Sequence, residues 1–221
     1  MKLSVLIPVY NEEPQIVELL HRVAAVDVDK EIIVVDDCST DRSWELIQAL
    51  DIKALRAFRH PVNRGKGAGI QTALREATGD AVLIQDADLE YDPSDYPKLL
   101  APLMRKEADV VYGTRDLSGQ RPMMRWGNRF LTWITNLLFG CHLTDMETCY
   151  KLIPAKIMRS LDLKADRFQI EPEITAKLLR RGYKIVEVPI SYRPRTAKKL
   201  NPWRDGLPAL LMLLRCRLGR L

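Results

Sequence analysis

Ala81-Val82-Leu83-Ile84-Gln85-Asp86-Ala87-Asp88-Leu89-Glu90 is an apolar run that turns acidic within a few residues. A run this short, with no alternating polar positions, reads as a strand buried on both faces, as in a parallel sheet covered by helices. The signature recurs at Leu3 to Val9, Glu31 to Val35, Lys53 to Phe58 and Asp109 to Tyr112. Between these runs lie helix-like segments at about 13–25, 40–50, 67–77 and 94–106; Thr40 or Ser39 is placed to cap the second, and Pro93-Ser94-Asp95 opens the fourth. Strand and helix alternate over the first 113 residues, which predicts an α/β fold with a mostly parallel sheet flanked by helices.

Beyond residue 113 the pattern changes. Ser118-Gly119-Gln120-Arg121-Pro122 reads as a loop, after which Trp126, Phe130, Trp133, Ile134, Leu137 and Leu138 fall at helical spacing up to Gly140. A short strand at Cys149 to Ile153, a helix at about 171–181 and a strand at Lys184 to Ile190 follow. In the last segment, 203–221, Leu207, Leu210, Leu211, Leu214, Leu218 and Leu221 make one stripe, with Arg215, Arg217 and Arg220 beside it. Apolar stripes flanked by arginine suit either packing on the sheet or a helix lying in a membrane interface.

At 221 residues, 47% hydrophobic and 29% charged, the chain is long enough for one main domain with a tail, and its composition excludes disorder, collagen-like repeats and coiled coil. Cys38, Cys141, Cys149 and Cys216 form no C-x-x-C pair, and His21, His60 and His142 are far apart. A zinc site or a disulfide framework is therefore not expected, and a reducing compartment fits. The net charge of +5 is unevenly spread: residues 1–179 hold 23 Lys and Arg against 27 Asp and Glu, whereas 180–221 hold 11 against 2. The basic tail should face an anion such as phosphate or lipid headgroups. A nucleic-acid partner is not expected, because the acidic strand ends would repel a phosphate backbone. No stretch reaches 18 apolar residues, so no transmembrane span is encoded, and Leu3 to Val9 is too short for a signal peptide. The expected location is the cytoplasm.

In open parallel α/β sheets, ligands bind beyond the carboxyl ends of the strands. Here that edge is acidic: the first strand ends at Pro8-Val9-Tyr10-Asn11-Glu12, the second at Asp36-Asp37 and the fourth at Asp86-Ala87-Asp88-Leu89-Glu90. Three such clusters repel one another without a cation, and carboxylates two residues apart are hard oxygen donors that suit Mg²⁺ or Mn²⁺ bridging to phosphates. Asn63-Arg64-Gly65-Lys66-Gly67-Ala68-Gly69 enters a helix with backbone N–H groups and a lysine. It reads equally as a phosphate contact or a flexible helix start, and it is neither a Walker loop nor G-x-G-x-x-G.

In order and spacing, Pro8-Val9-Tyr10-Asn11-Glu12, Val34-Val35-Asp36-Asp37-Cys38-Ser39-Thr40-Asp41, Asn63-x-Gly65-Lys66-Gly67 and Asp86-Ala87-Asp88 resemble the inverting nucleotide-sugar glycosyltransferases of family 2, which have the GT-A fold. Gly113-Thr114-Arg115, Thr144-Asp145-Met146-Glu147-Thr148-Cys149-Tyr150-Lys151 and Glu187-Val188-Pro189-Ile190-Ser191-Tyr192 resemble the dolichol-phosphate mannosyltransferase branch, so the likeness covers nearly the whole chain. It implies a GT-A domain over 1–202, with a nucleotide-binding half at 1–113 and an acceptor-binding half at 114–202, followed by a basic amphipathic helix at 203–221.

The resemblance also implies roles. Pro8, Tyr10, Glu12, Val35 and Asp37 would line the nucleoside pocket, with Lys66, Asp86, Ala87 and Asp88 completing the donor site. Asp86, Asp88 and Glu90 would hold Mg²⁺ or Mn²⁺. Arg115 and Arg129, with Arg125 as the alternative to the second, would hold the acceptor phosphate. Arg195 with Lys198 or Lys199 would form a basic loop closing over both substrates, although Arg195-Thr196-Ala197-Lys198-Lys199 is shorter than the family's loop and lacks its glycine. The implied reaction moves mannose or glucose from GDP-mannose or UDP-glucose to dolichyl or undecaprenyl phosphate at the cytoplasmic face of a membrane, where an integral-membrane partner would supply an anchor. For a sugar-hydroxyl acceptor, Asp145 or Glu147 would be the base.

Overall fold

The structure, a computed structural model, describes residues 1–195 and 202–219, with the side chains of 202–205 left out. Its elements run β1 (Leu3–Val9), α1 (Ile16–Ala25), β2 (Lys30–Asp36), α2 (Ser43–Gln48), β3 (Leu55–Arg59), α3 (Lys66–Glu76), β4 (Ala81–Ile84), α4 (Tyr96–Met104), β5 (Val110–Thr114), α5 (Pro122–Phe139), β6 (Lys151–Pro154), α6 (Ala155–Ser160), α7 (Ile170–Arg180), β7 (Ile185–Pro189) and α8 (Pro202–Arg217). The strands make one seven-stranded sheet in the order β3-β2-β1-β4-β6-β5-β7. All pairings are parallel except those of β6, which runs antiparallel between β4 and β5.

The apolar runs are buried as their composition requires. Val5, Leu6, Ile7, Ile32, Ile33, Val34, Val35, Val82, Leu83 and Ile84 have no exposed surface and form one core with Leu19, Leu99 and Ile174 from the covering helices. Strand order reverses at β1: β2 and β3 lie on one side, β4 on the other. Such a reversal splays the loops that follow the two central strands and opens a crevice between them. The residues after β1 and β4 flank that crevice, and Asp37 lies beside them, its N–H donating to the Val9 carbonyl at 2.8 Å.

Several local expectations change. The second helix begins at Ser43 rather than near residue 40, because Asp41 Oδ1 accepts from the Ser43 N–H at 3.0 Å. Ser39 and Thr40 instead tie to the first loop, with Ser39 Oγ accepting from the Asn11 N–H and Asn11 Oδ1 accepting from the Thr40 N–H. The fourth helix is preceded by a 3₁₀ turn at Pro93–Asp95, whose Ser94 N–H donates to Asp92. The short helix α6 was not anticipated; at six residues it is too brief for a periodic pattern to reveal.

At the opposite end of the sheet Glu31 ties β1, β2 and the turn before β4 together. Its carboxylate accepts from Ser4 Oγ at 2.6 Å, Thr78 N at 2.6 Å and Gly79 N at 3.1 Å, and pairs with Arg56 at 3.0 Å. Burial alone would raise its pKa, but the hydrogen bonds from Ser4 and Thr78 and the charge of Lys2 hold it down to about 2. A folded-state pKa below the unfolded one contributes stability that is present above the unfolded value and lost as pH falls through the folded one. Glu31→Gln is therefore expected to lower stability at pH 7 by roughly 2–3 kcal/mol. Measured by denaturant unfolding, the difference should shrink between about pH 4.5 and pH 2 and vanish below.

Candidate active site

The crevice at the β1/β4 reversal is lined by carboxylates, of which Glu12, Asp86 and Asp88 are paired with a lysine or an arginine. Lys66 Nζ, at the first position of α3, lies 2.7 Å from Asp86 Oδ1 and 2.9 Å from Glu171 Oε1. Burial alone would depress the Lys66 ammonium, but Asp86 and Glu171 hold it well above its ordinary value. Burial likewise opposes ionisation of Asp86, and Lys66 nevertheless keeps its carboxyl low. On the other side, one Arg195 guanidinium nitrogen spans the crevice, 2.8 Å from Glu12 Oε2 and 3.3 Å from Asp88 Oδ2. A cation 183 positions downstream of Glu12 thereby joins the loops after β1 and β4 at the switch point of the sheet.

The Asn63–Ala68 turn is organised from inside the protein. Asp37 Oδ1 accepts from His60 Nδ1 and Arg64 N, and Oδ2 accepts from Gly65 N at 2.6 Å. Three of the four lone-pair sites of a carboxylate are thus used, so a nucleoside base can reach Asp37 only through the last one on Oδ2. The Ala68 N–H donates to the Asp166 carbonyl. Three backbone donors that the sequence offered to a phosphate are therefore spent within the chain. The glycines answer a steric demand: a Cβ on Gly67 would lie 2.1 Å from the Ala165 carbonyl oxygen, and Gly65 has φ +101° with the Asp166 oxygen 2.6 Å from where its Cβ would stand. The facing 164–166 strand of loop is fixed by fully buried Glu173, which accepts from Lys164 N and Ala165 N and pairs with Lys177. Lys66 is held in place by residues a hundred positions downstream.

Arg115, at the exit of β5, is the central cation of the second half. Its Nε and Nη2 donate to Asp145 Oδ2 and Oδ1, both at 2.7 Å, its N–H donates to Asp145 as well, and its guanidinium lies 5.3 Å from the centroid of the Tyr192 ring. Nη1 makes no hydrogen bond among the described residues. Tyr192 OH donates to Glu90 Oε2 at 2.7 Å, Arg195 N donates to Glu90 Oε1 at 2.9 Å, and Arg193 N donates to the Glu90 carbonyl. Glu90 thus fastens the segment carrying Arg195 beside Asp88. Asp145, 2% exposed and ion-paired through both oxygens, is not available as a base. The other carboxyl in that stretch differs: burial, with Glu171 and Asp145 adding to it, pushes Glu147 up to about 7 against Lys151 and Arg115, and its Oε1 has no hydrogen-bond partner among the described residues.

Of the remaining expected site residues, Pro8 is half-buried and Tyr10 exposed at the edge, whereas Val35 is a core residue with no exposed surface and Ala87 is buried. Arg125 and Arg129 lie on α5, and Arg129 is exposed with no ion pair among the described residues. Lys198 and Lys199 lie outside the described residues. Sequence reading missed Glu171 and Glu173, and gave no role to Lys151 and Tyr192, which it carried only inside longer motifs. Glu171 and Glu173 look like ordinary acidic residues of a first helical turn, and only fully buried Lys151, 2.6 Å from Glu171, reveals the pairing.

Asp86 and Asp88 fit a divalent cation: both are hard oxygen donors, partly exposed at the crevice, and in contact with positive charge already. Among the described residues no cluster of three or more His, Cys, Asp or Glu side chains is disposed to hold a metal, since the Glu90 carboxylate is turned to residues 192–195.

Comparison with known proteins adds a family. Residues 4–160 match the family model described as Glycosyl transferase family 2. The dolichol-phosphate mannosyltransferase of Pyrococcus furiosus is 31% identical over 215 residues, 91% of this chain and 60% of its own length, so this chain spans less than two thirds of that relative. The undecaprenyl-phosphate mannosyltransferase of Micrococcus luteus is 28% identical, with 99% of this chain and all of that one aligned. Among solved structures, glucosyl-3-phosphoglycerate synthase from Mycobacterium tuberculosis, in complex with Mn²⁺, UDP and glucosyl-3-phosphoglycerate, superposes with a TM-score of 0.80 at 23% identity, covering 99% of this chain and 80% of that one. At that identity the likeness establishes the GT-A fold alone.

Asp145→Asn should leave the buried Arg115 guanidinium without its counter-charge and lower stability by roughly 3–5 kcal/mol in denaturant unfolding, as removal of one partner from a buried pair does. A fully stable Asp145→Asn protein would contradict the ion pair's placement.

Proposed function

The chain belongs to glycosyl transferase family 2, and from that premise we propose that it transfers a hexose, mannose or glucose, from a nucleotide sugar to a polyprenyl phosphate with inversion. The observation that carries the reading is the juxtaposition of opposite sites: a carboxylate-lined crevice at the β1/β4 reversal, and a buried arginine, Arg115, one guanidinium nitrogen of which makes no hydrogen bond among the described residues. In this reading 1–113 is the nucleotide-binding half and 114–202 the acceptor-binding half.

Pro8, Tyr10 and Glu12 border the nucleoside end of the crevice, with Asp37 holding the 63–68 turn behind it. Asp86 and Asp88 would hold Mg²⁺ or Mn²⁺, which when bound neutralises the departing diphosphate. Lys66 contributes a second positive charge at the same end, already fixed by Glu171. The acceptor phosphate is an anion near neutral pH, its second pKa being about 6, so no strong base is required. What the chain must supply is orientation: Arg115, its geometry set by Asp145 and Tyr192, takes a phosphate oxygen through Nη1, and Arg129 and Arg195 add charge around it. The incoming oxygen bonds the anomeric carbon as the bond to the diphosphate oxygen breaks on the opposite face.

The lipid acceptor also gives two helices a use. Trp126 (70% exposed), Phe130, Trp133 (57%) and Leu137 line the outer face of α5, while Leu207, Leu211 and Leu214 line that of α8, which packs beside it, with exposed Leu218 just beyond its end. Two neighbouring helices that each expose an apolar row and carry Arg125, Arg129, Arg215 and Arg217 suit the interface of an anionic membrane, so the chain would lie peripherally on the cytoplasmic face. No helix among the described residues is long and apolar enough to cross a membrane. A hydroxyl acceptor is the second reading; its base would be Glu147, whose carboxyl burial pushes up to about 7, rather than Asp145.

The test is incubation with Mn²⁺ or Mg²⁺, a panel of radiolabelled nucleotide sugars and polyprenyl phosphate in vesicles, followed by organic extraction. Metal-dependent label in the lipid phase, reduced at least ~100-fold in Asp88→Ala, is expected when a group that stabilises the transition state is lost. Label appearing only in water-soluble glycosides would overturn the lipid acceptor in favour of the hydroxyl reading.

A further inference from the structure

Helix α5 exposes an apolar row to the outside and turns polar side chains inward, alongside Leu131, Ile134, Leu138 and Phe139, which pack on the core. At about 100° per residue, Met123, Trp126, Phe130, Trp133 and Leu137 form one row, and it faces outward. Asn128, Thr132, Thr135 and Asn136 form another, and it faces the protein: Thr132 and Thr135 are buried, Asn128 and Asn136 half-buried. Polar residues turned inward cost free energy unless they hold partners. Three of these four grip residues outside their own helix.

Asn128 Nδ2 donates to Gln120 Oε1 at 3.0 Å, and buried Gln120 donates from Nε2 to Tyr192 OH at 2.9 Å. Tyr192 lies under the Arg115 guanidinium and donates to Glu90. Thr132 Oγ1 accepts from the Met146 N–H at 3.1 Å, and Asn136 holds Leu143 through both its N–H and its carbonyl, at 2.9 and 2.8 Å. Leu143 and Met146 bracket Asp145, the residue that carries the paired hydrogen bonds from Arg115. Both supports of the arginine, the carboxylate at its fork and the ring beneath it, are therefore anchored to the inner face of α5.

We propose that Asn128, Thr132 and Asn136 are positioning residues for Arg115, through which contact of a lipid surface with the outer face of α5 sets the arginine that receives the acceptor phosphate. The inference rests on the lipid-phosphate reading above. The helix acts as a rigid lever: its outer row senses where the bilayer lies, and its inner row transmits that placement over two hydrogen-bonded routes of one or two residues each. A chain in solution would hold Arg115 less accurately than one seated on lipid, and turnover would depend on the surface even for an acceptor that does not need it for solubility.

The experiment uses a short, water-soluble prenyl phosphate as acceptor, with and without phosphatidylglycerol vesicles free of acceptor. Vesicles should raise turnover of the unsubstituted chain several-fold. Thr132→Val and Asn128→Leu should abolish that rise and increase the acceptor KM about tenfold, the effect of one lost hydrogen bond, with the donor KM changed by less than about twofold. Thr132→Ser, which keeps the hydroxyl, should behave as the unsubstituted chain. An activity-independent readout accompanies it: amide hydrogen exchange over 143–149 should slow when vesicles are added, and should not respond in Thr132→Val. Donor and acceptor KM rising together, a Thr132→Ser protein as impaired as Thr132→Val, or stimulation and exchange unaltered by the substitutions would overturn the proposal. If exchange responds but no prenyl phosphate is glycosylated, the lever stands and the acceptor assignment fails.

Discussion

Too many carboxylates converge on one edge of the sheet, and the structure is arranged to neutralise them. Glu12, Asp37, Asp86, Asp88 and Glu90 follow the carboxyl ends of β1, β2 and β4, where the reversal of strand order opens the crevice. Like charges at such spacing raise one another's pKa unless cations intervene. Lys66 and Arg195 intervene directly, His60 and two backbone N–H groups satisfy Asp37, and the strap at 192–195 satisfies Glu90. In the proposed reading the edge is held ready for a polyanionic ligand that arrives with its own cation. It is strongly polar, and its donors and acceptors are already in order, so little rearrangement is needed when charge develops.

That neutralisation makes the two halves of the chain interdependent. Lys66 belongs to the first half, yet Glu171 and the loop held by Glu173 belong to the second. Arg195 comes from near the end of the chain and reaches the first loop. Arg115 stands where the halves meet, fixed by Asp145 and Tyr192, and these two are anchored in turn to α5. The carboxylate crevice, Arg115 and the inner face of α5 are therefore parts of one polar network, although they come from distant stretches of sequence.

Much of this was legible in the sequence, for identifiable reasons. The buried strands β1, β2 and β4 are unbroken Val, Ile and Leu runs, and their acidic exits fall where α/β topology places ligands, so the fold and the Asp86–Asp88 crevice were readable. Long-range pairing was not. The antiparallel insertion of β6 depends on which strand it joins, and its own composition does not say. Asp145 read as a possible base because nothing local reveals that Arg115, thirty residues away, occupies both its oxygens. The Gly65-Lys66-Gly67 turn read equally as a phosphate contact or a flexible helix start because its glycines serve close packing against Ala165 and Asp166, a demand set by a loop a hundred residues later. Val35 lies in a nucleotide-pocket motif, yet its side chain belongs to the core.

The charge-neutralised crevice is tested most directly by crystallising the chain with Mn²⁺ and UDP or GDP and collecting anomalous data. An anomalous peak about 2.1 Å from oxygens of Asp86 or Asp88, shared with the diphosphate, is expected, with Arg195 displaced from Asp88. A bound nucleotide with no metal at either aspartate and Arg195 still bridging Glu12 and Asp88 would contradict it.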